Sequence, residues 1–280
     1  MSARYSAVPL AEAREESEFG GKAVQLSAAI RARLPVPPGV ALGTEVVAAT
    51  AAGDPTATAV LSNLRKSIEG PLAVRSSCVG EDSAVASFAG QHQTRLNVRT
   101  AEQLTDAVAA VWRSGRSEAA LAYRRKLGLG EEPRMGVVVQ QLVEPEVAGV
   151  LFTRNPVTGA GERLIEAAWG LGESVVQGLV TPDIYRVSRS GEVLECTPGT
   201  KDVAVYILPE GGTQKAKVPA KFVRTLCLDD ARLRELHALA MRCEKTFGGA
   251  QDLEWAFAGG TLYLLQRRAV TSAMKKAGDR

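Results

Sequence analysis

The chain has 280 residues, 45% of them hydrophobic, which is enough for one large domain or for two small lobes around a cleft. Its net charge of +3 is nearly balanced and argues against a protein that binds nucleic acid through a clustered basic face. No apolar run reaches 18 residues, and the acidic N-terminus lacks the apolar core of a signal peptide. We therefore predict neither a membrane span nor a cleaved leader.

The four cysteines indicate neither a zinc site nor a disulfide framework. Cys78, Cys196, Cys227 and Cys243 are scattered along the chain, and no two of them form a CxxC pair. This usage favours a reduced, cytoplasmic setting.

The first half of the chain is predicted to mix helices and strands. An amphipathic helix over 23–34 follows Gly20-Gly21-Lys22, and Thr100 is predicted to cap a later helix. The remaining predicted elements are strands at 40–42, 71–74 and 93–98 and helices at 44–52, 57–68, 101–114 and 117–127.

The second half is predicted to be mainly strands. These lie at 135–142, 148–153, 164–168, 184–187 and 193–196, and a final hairpin surrounds Gly259-Gly260. The polar, glycine-containing stretch 208–221 is predicted to be a surface excursion, and a helix is predicted from Asp229 to Cys243.

The stretch from Val74 to Val98 indicates a grip on a polyphosphate. Arg75 stands where a strand ends, and a loop of small, hydroxylic and acidic residues follows it. Such a loop lets backbone N–H groups approach an anion, and arginine matches phosphate oxygens. By spacing alone an ordinary turn is the commoner outcome. Lys22, in the first turn of a helix, also fits an anion site, although by position alone a solvated lysine is the commoner outcome.

Several motifs in chain order carry a resemblance to one family. They are GGKAVQL followed by LPVPPGVAL, VRSSCVGEDSAVASFAGQ, VVVQQLVEPEVAGVLFTRNPVTG, EAAWGLGESVVQGLVTPD, GAQDLEWA and LYLLQRR. Together they resemble the ATP-binding domain of phosphoenolpyruvate synthase, pyruvate phosphate dikinase and rifampin phosphotransferase over nearly the whole chain. Cys78, Val79 and Ala269 depart from the family pattern, and Lys201 matches a family position without an evident role.

The resemblance implies a fold and its ligands. The expected fold is α+β and ATP-grasp-like, with two lobes over residues 1–272 closing on a nucleotide, followed by a charged tail at 273–280 that is expected to be disordered. The expected ligands are ATP and Mg²⁺, and the expected activity is kinase-type phosphotransfer.

The resemblance also assigns roles to individual residues. Lys22, Arg75 and Arg268 would contact phosphates, and Glu254 and Gln266 would hold Mg²⁺, which prefers oxygen ligands. Lys22, Arg75, Glu254 and Arg268 form the expected catalytic set. Glu173 is either a contact to ribose or metal-bound water, or a solvated turn residue. The expected nucleotide contacts also include loop residues Ser87, Ala89 and Gly90 and an adenine hinge at Gln140, Gln141, Leu142 and Val143.

The phosphoryl acceptor is not apparent in the sequence. The larger relatives pass phosphate to a histidine on a swivelling domain, in a Thr/Ser-His-Ala type motif that this sequence lacks, and we expect His92 and His237 to be structural. The preferred hypothesis is therefore a component that phosphorylates a histidine on a partner chain. Direct phosphorylation or activation of a small molecule, a nucleotide-sensing subunit and a domain excised from a longer protein stay open, although Met1 and the charged tail favour natural ends.

The last hairpin is predicted to bring the metal ligands together. A two-residue Gly259-Gly260 turn would set Glu254 against Leu265, whereas a three-residue loop that includes Thr261 sets Glu254 against Gln266. We therefore predict the longer loop. Asp252 should then face Arg268, and Glu254, Gln266 and Arg268 should share one side of the sheet. The predicted apolar side consists of Leu253, Trp255, Phe257, Tyr263 and Leu265.

Overall fold

The computed structural model describes residues 5–80, 93–126, 128, 130 and 132–270. The chain divides into two compact units. Unit 1 consists of Met1–Arg31, Pro37–Leu142 and Ile207–Thr213, and unit 2 of Ala32–Val36, Val143–Tyr206 and Gln214–Arg280. Each unit contains helices and strands, so the predicted α+β class is confirmed.

Unit 1 is built on a five-stranded sheet with the strand order β1-β2-β5-β3-β4. Its strands are β1 (Ala7–Pro9), β2 (Gly39–Leu42), β3 (Leu72–Cys78), β4 (Thr94–Val98) and β5 (Met135–Gln141). Its helices are a 3-10 turn at Leu10–Glu12, α1 (Glu16–Phe19), α2 (Gly21–Arg31), α3 (Thr44–Ala51), α4 (Pro55–Ser67), α5 (Ala101–Ser114) and α6 (Glu118–Lys126).

Two helices of unit 1 begin at a side-chain cap that the sequence supplies. Thr100 accepts a hydrogen bond from the Gln103 N–H, and the Gln103 side chain accepts from the Thr100 N–H, which completes the capping box of α5. Asp54 caps α4, whose first residue is Pro55. On one side of the sheet, α3, α4 and α5 bury a continuous apolar cluster against β3 and β5.

Unit 2 is built on a six-stranded antiparallel sheet with the order β13-β12-β6-β7-β8-β9 and a separate two-stranded sheet. The large sheet contains β6 (Val147–Phe152), β7 (Arg163–Trp169), β8 (Asp183–Val187), β9 (Val193–Thr197), β12 (Gln251–Ala258) and β13 (Thr261–Ala269). The remaining elements are β10 (Val203–Ile207), β11 (Thr213–Lys217), α7 (Glu173–Val176), α8 (Ala220–Val223) and α9 (Asp230–Phe247).

The surface excursion predicted at 208–221 is wrong in part. Residues Thr213–Lys217 form a strand that pairs with Val203–Ile207, and a short helix begins at Ala220. The sequence did not predict this hairpin because it contains exposed lysines and glycines. A two-stranded ribbon has no continuous apolar face, so it lacks the alternating apolar pattern by which a strand is recognised.

The two faces of the six-stranded sheet differ in burial. On one face, Leu253, Trp255 and Phe257 are fully buried, and α9 packs against β12. The other face carries partly exposed side chains, among them Val150 and Glu166. This asymmetry leaves one side of the sheet available for polar chemistry.

Among the described helices, none is both long enough and apolar enough to serve as a transmembrane segment.

Candidate functional site

The turn of the last hairpin is shorter than predicted. Ala258 pairs with Thr261, so the loop is the two-residue Gly259-Gly260 turn, and the prediction of a three-residue loop is wrong. Both glycines have positive φ, 55° and 74°, as a type I′ turn requires. Because two consecutive glycines reach this conformation without strain, the tighter turn forms.

A β-bulge restores the pairing that the short turn would otherwise prevent. The register shifts between Glu254 and Trp255, with Leu265 as the extra residue on β13, so that Glu254 faces Gln266. The predicted opposition of these two side chains is therefore present, although it arises in the middle of the strand and not at the turn.

Because of the bulge, the apolar face of the last hairpin differs from the predicted one. Before the bulge, Leu262 and Leu264 oppose Phe257 and Trp255 and are buried. The positions predicted for Tyr263 and Leu265 are wrong, and both are only partly buried. The extra residue changes which side chains of β13 lie on each face.

Asp252 is a member of the site that the sequence reasoning did not assign. It pairs with Arg268 in register, as predicted, and its Oδ2 accepts a hydrogen bond of 2.7 Å from Arg268 Nη2. Asp252 is only 4% exposed, and burial raises its pKa, an effect that Arg268 opposes. The ion pair fixes the Arg268 guanidinium on the same face as Glu254. The QDLEWA motif contains this aspartate two residues before Glu254. This spacing places both side chains on the same face of a strand, so the sequence could have indicated Asp252 as a member of the site.

Glu173 lies near the same face of this sheet. Ala148 shares a face with Val150, which pairs with Glu254. A Cβ placed on Gly172 would lie 3.7 Å from the Cβ of Ala148, so the start of α7 rests on this side. Burial raises the pKa of Glu173, and Lys215 opposes this shift. Glu173 is thus partly enclosed, in contrast to the alternative of a solvated turn residue.

In unit 1, close packing positions Lys22. Gly20 has φ of +80°, and a Cβ at this position would lie 1.8 Å from the carbonyl oxygen of Ser77. Ser77 Oγ accepts a hydrogen bond of 2.9 Å from the Ala23 N–H and so satisfies the first turn of α2. Lys22, in the same turn, is 6% exposed. Gly20 therefore allows the start of α2, which carries Lys22, to pack closely against β3.

Arg75 lies on β3 two residues before Ser77. The two-residue period places both side chains on the face of the sheet that α2 contacts, so Lys22 and Arg75 share one side of unit 1. The predicted loop contacts Ser87, Ala89 and Gly90 lie outside the described residues, as does His92.

Several polar groups of the predicted adenine hinge already form hydrogen bonds within the protein. Gln140 is buried, and its Nε2 donates to Pro37 O at 3.1 Å. The backbone N–H of Gln141 donates to Pro38 O, and that of Leu142 donates to Pro71 O. Within the described part of the chain, the N–H of Val143 has no such partner.

Lys201 and His237 are part of the framework of unit 2. Lys201 Nζ pairs with Asp183 Oδ1, and both side chains are fully buried. The His237 ring packs against Gly191, and burial lowers its pKa. These contacts account for both residues structurally.

The comparison with known families decides the assignment. The sequence profile described as "Pyruvate phosphate dikinase, AMP/ATP-binding domain" matches residues 55–280. The chain belongs to this family. Lys22 precedes the matched residues, whereas Arg75, Glu254, Gln266 and Arg268 lie within them.

Curated relatives of this AMP/ATP-binding domain are much longer proteins. A probable phosphoenolpyruvate synthase from Methanothermobacter thermautotrophicus is 41% identical over 203 residues, covering 72% of this chain and 30% of the relative. A rifampicin phosphotransferase from Streptomyces sp. is 40% identical over 231 residues, covering 81% of this chain and 27% of the relative. The chain thus spans less than a third of the length of either protein.

Solved structures share only a weak likeness with this chain. A D-alanine–D-alanine ligase from Helicobacter pylori has a TM-score of 0.44 and 10% identity, covering 92% of this chain and 56% of that chain. An L-amino acid ligase from Bacillus licheniformis has a TM-score of 0.41 and 15% identity, covering 91% and 44%. The family assignment rests on the sequence matches.

The donor set of this AMP/ATP-binding domain fits a hard cation. Glu254 offers a carboxylate and Gln266 an amide oxygen directly opposite, and Mg²⁺ commonly takes one or two protein oxygens and completes its shell with water and phosphate. Among the described residues no three His, Cys, Asp or Glu side chains come together as a metal site. The pair therefore suits an ion that arrives with the nucleotide.

Proposed function

We propose that the chain is the nucleotide-binding component of an ATP-dependent phosphotransferase, which uses Mg-ATP to phosphorylate a histidine on a partner chain. The observation that carries this proposal is the opposition of Glu254 and Gln266 beside the Asp252–Arg268 ion pair. A carboxylate, an amide oxygen and a fixed guanidinium on one face match what phosphoryl transfer needs.

Each side chain in this proposal has a physical task. Arg268 presents a guanidinium to phosphate oxygens, and Asp252 keeps it in place, so little ordering is lost when the nucleotide binds. Glu254 and Gln266 would hold Mg²⁺, which would neutralise charge on the phosphate oxygens. In unit 1, Lys22 and Arg75 supply two further cations for the phosphates.

The acceptor is proposed to lie on another chain. His237 is a poor acceptor because its ring is packed against Gly191 and burial disfavours its charged form. In the proposed transfer a P–O bond of ATP breaks, a P–N bond to the acceptor imidazole forms, and the remaining nucleotide leaves with the bonding electron pair. This division of labour agrees with relatives more than three times as long as the matched region.

The test combines nucleotide binding with transfer of label. Calorimetry with Mg-ATP should show binding by the chain alone, and labelled ATP should leave no stable label on it. Adding a histidine-bearing swivelling domain of the kind that the larger relatives carry should produce acid-labile label on that domain. Glu254→Gln should abolish most of the transfer, whereas the exposed control Glu192→Gln should retain it.

Two results would contradict the proposal. One is the absence of heat and of a thermal shift at millimolar ATP. The other is stable, acid-labile label on His92 or His237, which would make this chain its own acceptor.

A further inference from the structure

The ribbon formed by β10 and β11 is shared between the two units. Its turn, Ile207–Thr213, belongs to unit 1, whereas the remainder of both strands belongs to unit 2. The hairpin closes at its turn, where the Leu208 N–H donates to Gly212 O at 3.0 Å, and at its base, where the Val218 N–H donates to Asp202 O at 2.9 Å. An isolated two-stranded hairpin is only marginally stable in water, so the contacts at its two ends hold this ribbon in place.

In unit 1, Asn97 binds the turn of the ribbon. Its Nδ2 donates to Leu208 O at 2.6 Å and to Gly212 O at 2.7 Å, and the Gly212 N–H donates to Asn97 O at 3.1 Å. Arg99 Nε donates to Asn97 Oδ1 at 2.9 Å and so fixes the orientation of the amide. Asn97 is 1% exposed and has φ of 60°, a left-handed conformation that asparagine tolerates better than most residues. The turn is thus bound to the end of β4 by a specific, buried set of hydrogen bonds.

The same turn also fits closely against the start of α5. Gly211 has φ of +120°, and a Cβ at this position would lie 2.9 Å from Gln103 Nε2 and 3.2 Å from Asn97 O. Gln103 is the residue that completes the capping box of α5. A side chain on Gly211 would therefore push the turn away from both of its partners.

In unit 2, the base of the ribbon is joined to the segment that leads into α7. The Leu171 N–H donates to Val205 O at 2.9 Å, and Gly170 forms an isolated β-bridge with Val205. Helix α7 begins at Glu173, two residues after Leu171, and the charge of Lys215 on β11 opposes the raised pKa of Glu173. The ribbon is therefore attached directly beside one of the predicted nucleotide contacts.

We propose that the ribbon is a strap that couples nucleotide binding near Glu173 to the binding of its turn by Asn97. This inference rests on the proposed function, because it takes the nucleotide to bind beside α7. The two states are the turn bound to Asn97 and the turn released, and a ligand that orders the segment paired with Val205 favours the bound state. Such coupling is reciprocal. The factor by which ATP favours the bound turn equals the factor by which the bound turn favours ATP.

Amide hydrogen exchange on the full chain, with and without saturating Mg-ATP, tests the coupling. We expect Mg-ATP to slow exchange of the Gly212 amide together with that of Leu171. Asn97→Gly keeps the positive φ accessible but removes the side-chain donors. It should speed exchange at Gly212 and weaken ATP binding, measured by calorimetry, by about 5- to 150-fold. Gly211→Ala, which obstructs the turn from the other side, should have the same two effects. The matched control Glu210→Gln, exposed in the same turn, should behave like the wild type in both measurements.

Two outcomes overturn the strap. One is protection of the Leu171 amide by Mg-ATP in the wild type with no change at Gly212, a measurement that does not depend on the folding of any variant. The other is wild-type ATP affinity in Asn97→Gly or Gly211→Ala when the Gly212 amide exchanges faster. A wild-type chain that does not bind ATP would contradict the proposed function itself, whereas ATP binding without the coupling refutes the strap alone.

Discussion

Glu254 and Gln266 face each other across the last hairpin because Leu265 adds one residue to β13. The Gly259-Gly260 turn alone would place Leu265 opposite Glu254 and direct Gln266 to the apolar side. The bulge therefore allows a two-residue turn to coexist with the register in which the oxygen donors of Glu254 and Gln266 face each other. Bulges are common beside active sites because they redirect a side chain in this way.

Deleting Leu265 should preserve the site. Without this residue the strand becomes regular, yet Gln266 still falls opposite Glu254 and Arg268 still falls opposite Asp252. Inserting one alanine after Leu265 should instead turn Gln266 to the apolar face. Magnesium-dependent ATP affinity, measured by calorimetry, should survive the deletion and be lost on insertion. Loss of affinity in the deletion, in a folded protein, would contradict this account.

Replacing Lys22 with methionine should weaken ATP binding in a protein that still folds. The side chain is 6% exposed, and methionine keeps most of its volume while removing the charge. Loss of a charge-assisted phosphate contact is worth about 1.5–3 kcal/mol, roughly a ten- to hundredfold change in affinity. Arg75→Ala should have an effect of similar size. The exposed control Lys66→Met should bind ATP like the wild type, and an equal loss in that control would refute a specific contact.

Replacing Lys201 with methionine should destabilise unit 2. Asp183 accepts hydrogen bonds from the N–H groups of Gly199 and Cys227, both at 2.8 Å, and it pairs with Lys201 in a fully buried position. Removing one partner of a buried ion pair leaves the other charge without compensation, at a cost of about 3–5 kcal/mol. Urea unfolding measures the loss. The exposed control Lys245→Met should change the free energy of unfolding little, and equal effects of the two substitutions would contradict the assignment.

Glu162 should make stability depend on acid pH. The hydrogen bond from Arg186, and next that from Asn155, hold the pKa of Glu162 below its ordinary value of 4.5. A carboxyl group with a lowered pKa in the folded state stabilises fully above its unfolded pKa, and this contribution is lost as the pH falls through the folded value. The melting temperature of the wild type should exceed that of Glu162→Gln at pH 7, and the difference should shrink below about pH 4.5. A constant difference from pH 7 to pH 3 would exclude this linkage.

The sequence predicted elements well wherever local chemistry decides them. The helix at Ala101–Ser114 has the predicted bounds because Thr100 and Gln103 form a cap from adjacent residues. The final hairpin shows the limit. Its glycines fix the turn locally, but the bulge at Leu265 depends on how both strands pack, which no short pattern encodes. The sequence placed Asp252 opposite Arg268 but did not assign it to the site, because its burial and its hydrogen bond to the guanidinium arise only in the folded sheet.

Gly20 has a consequence for mutational tolerance. Any other amino acid at this position would need both an unfavourable φ of +80° and a Cβ within 1.8 Å of Ser77 O. In a saturation scan scored only for soluble, folded protein, all nineteen substitutions at Gly20 should therefore be depleted. Lys22, two residues later, should become more tightly restricted when growth depends on ATP turnover. The same short motif would thus carry two kinds of constraint, one from the packing of a helix against a strand and one from the proposed phosphate contact.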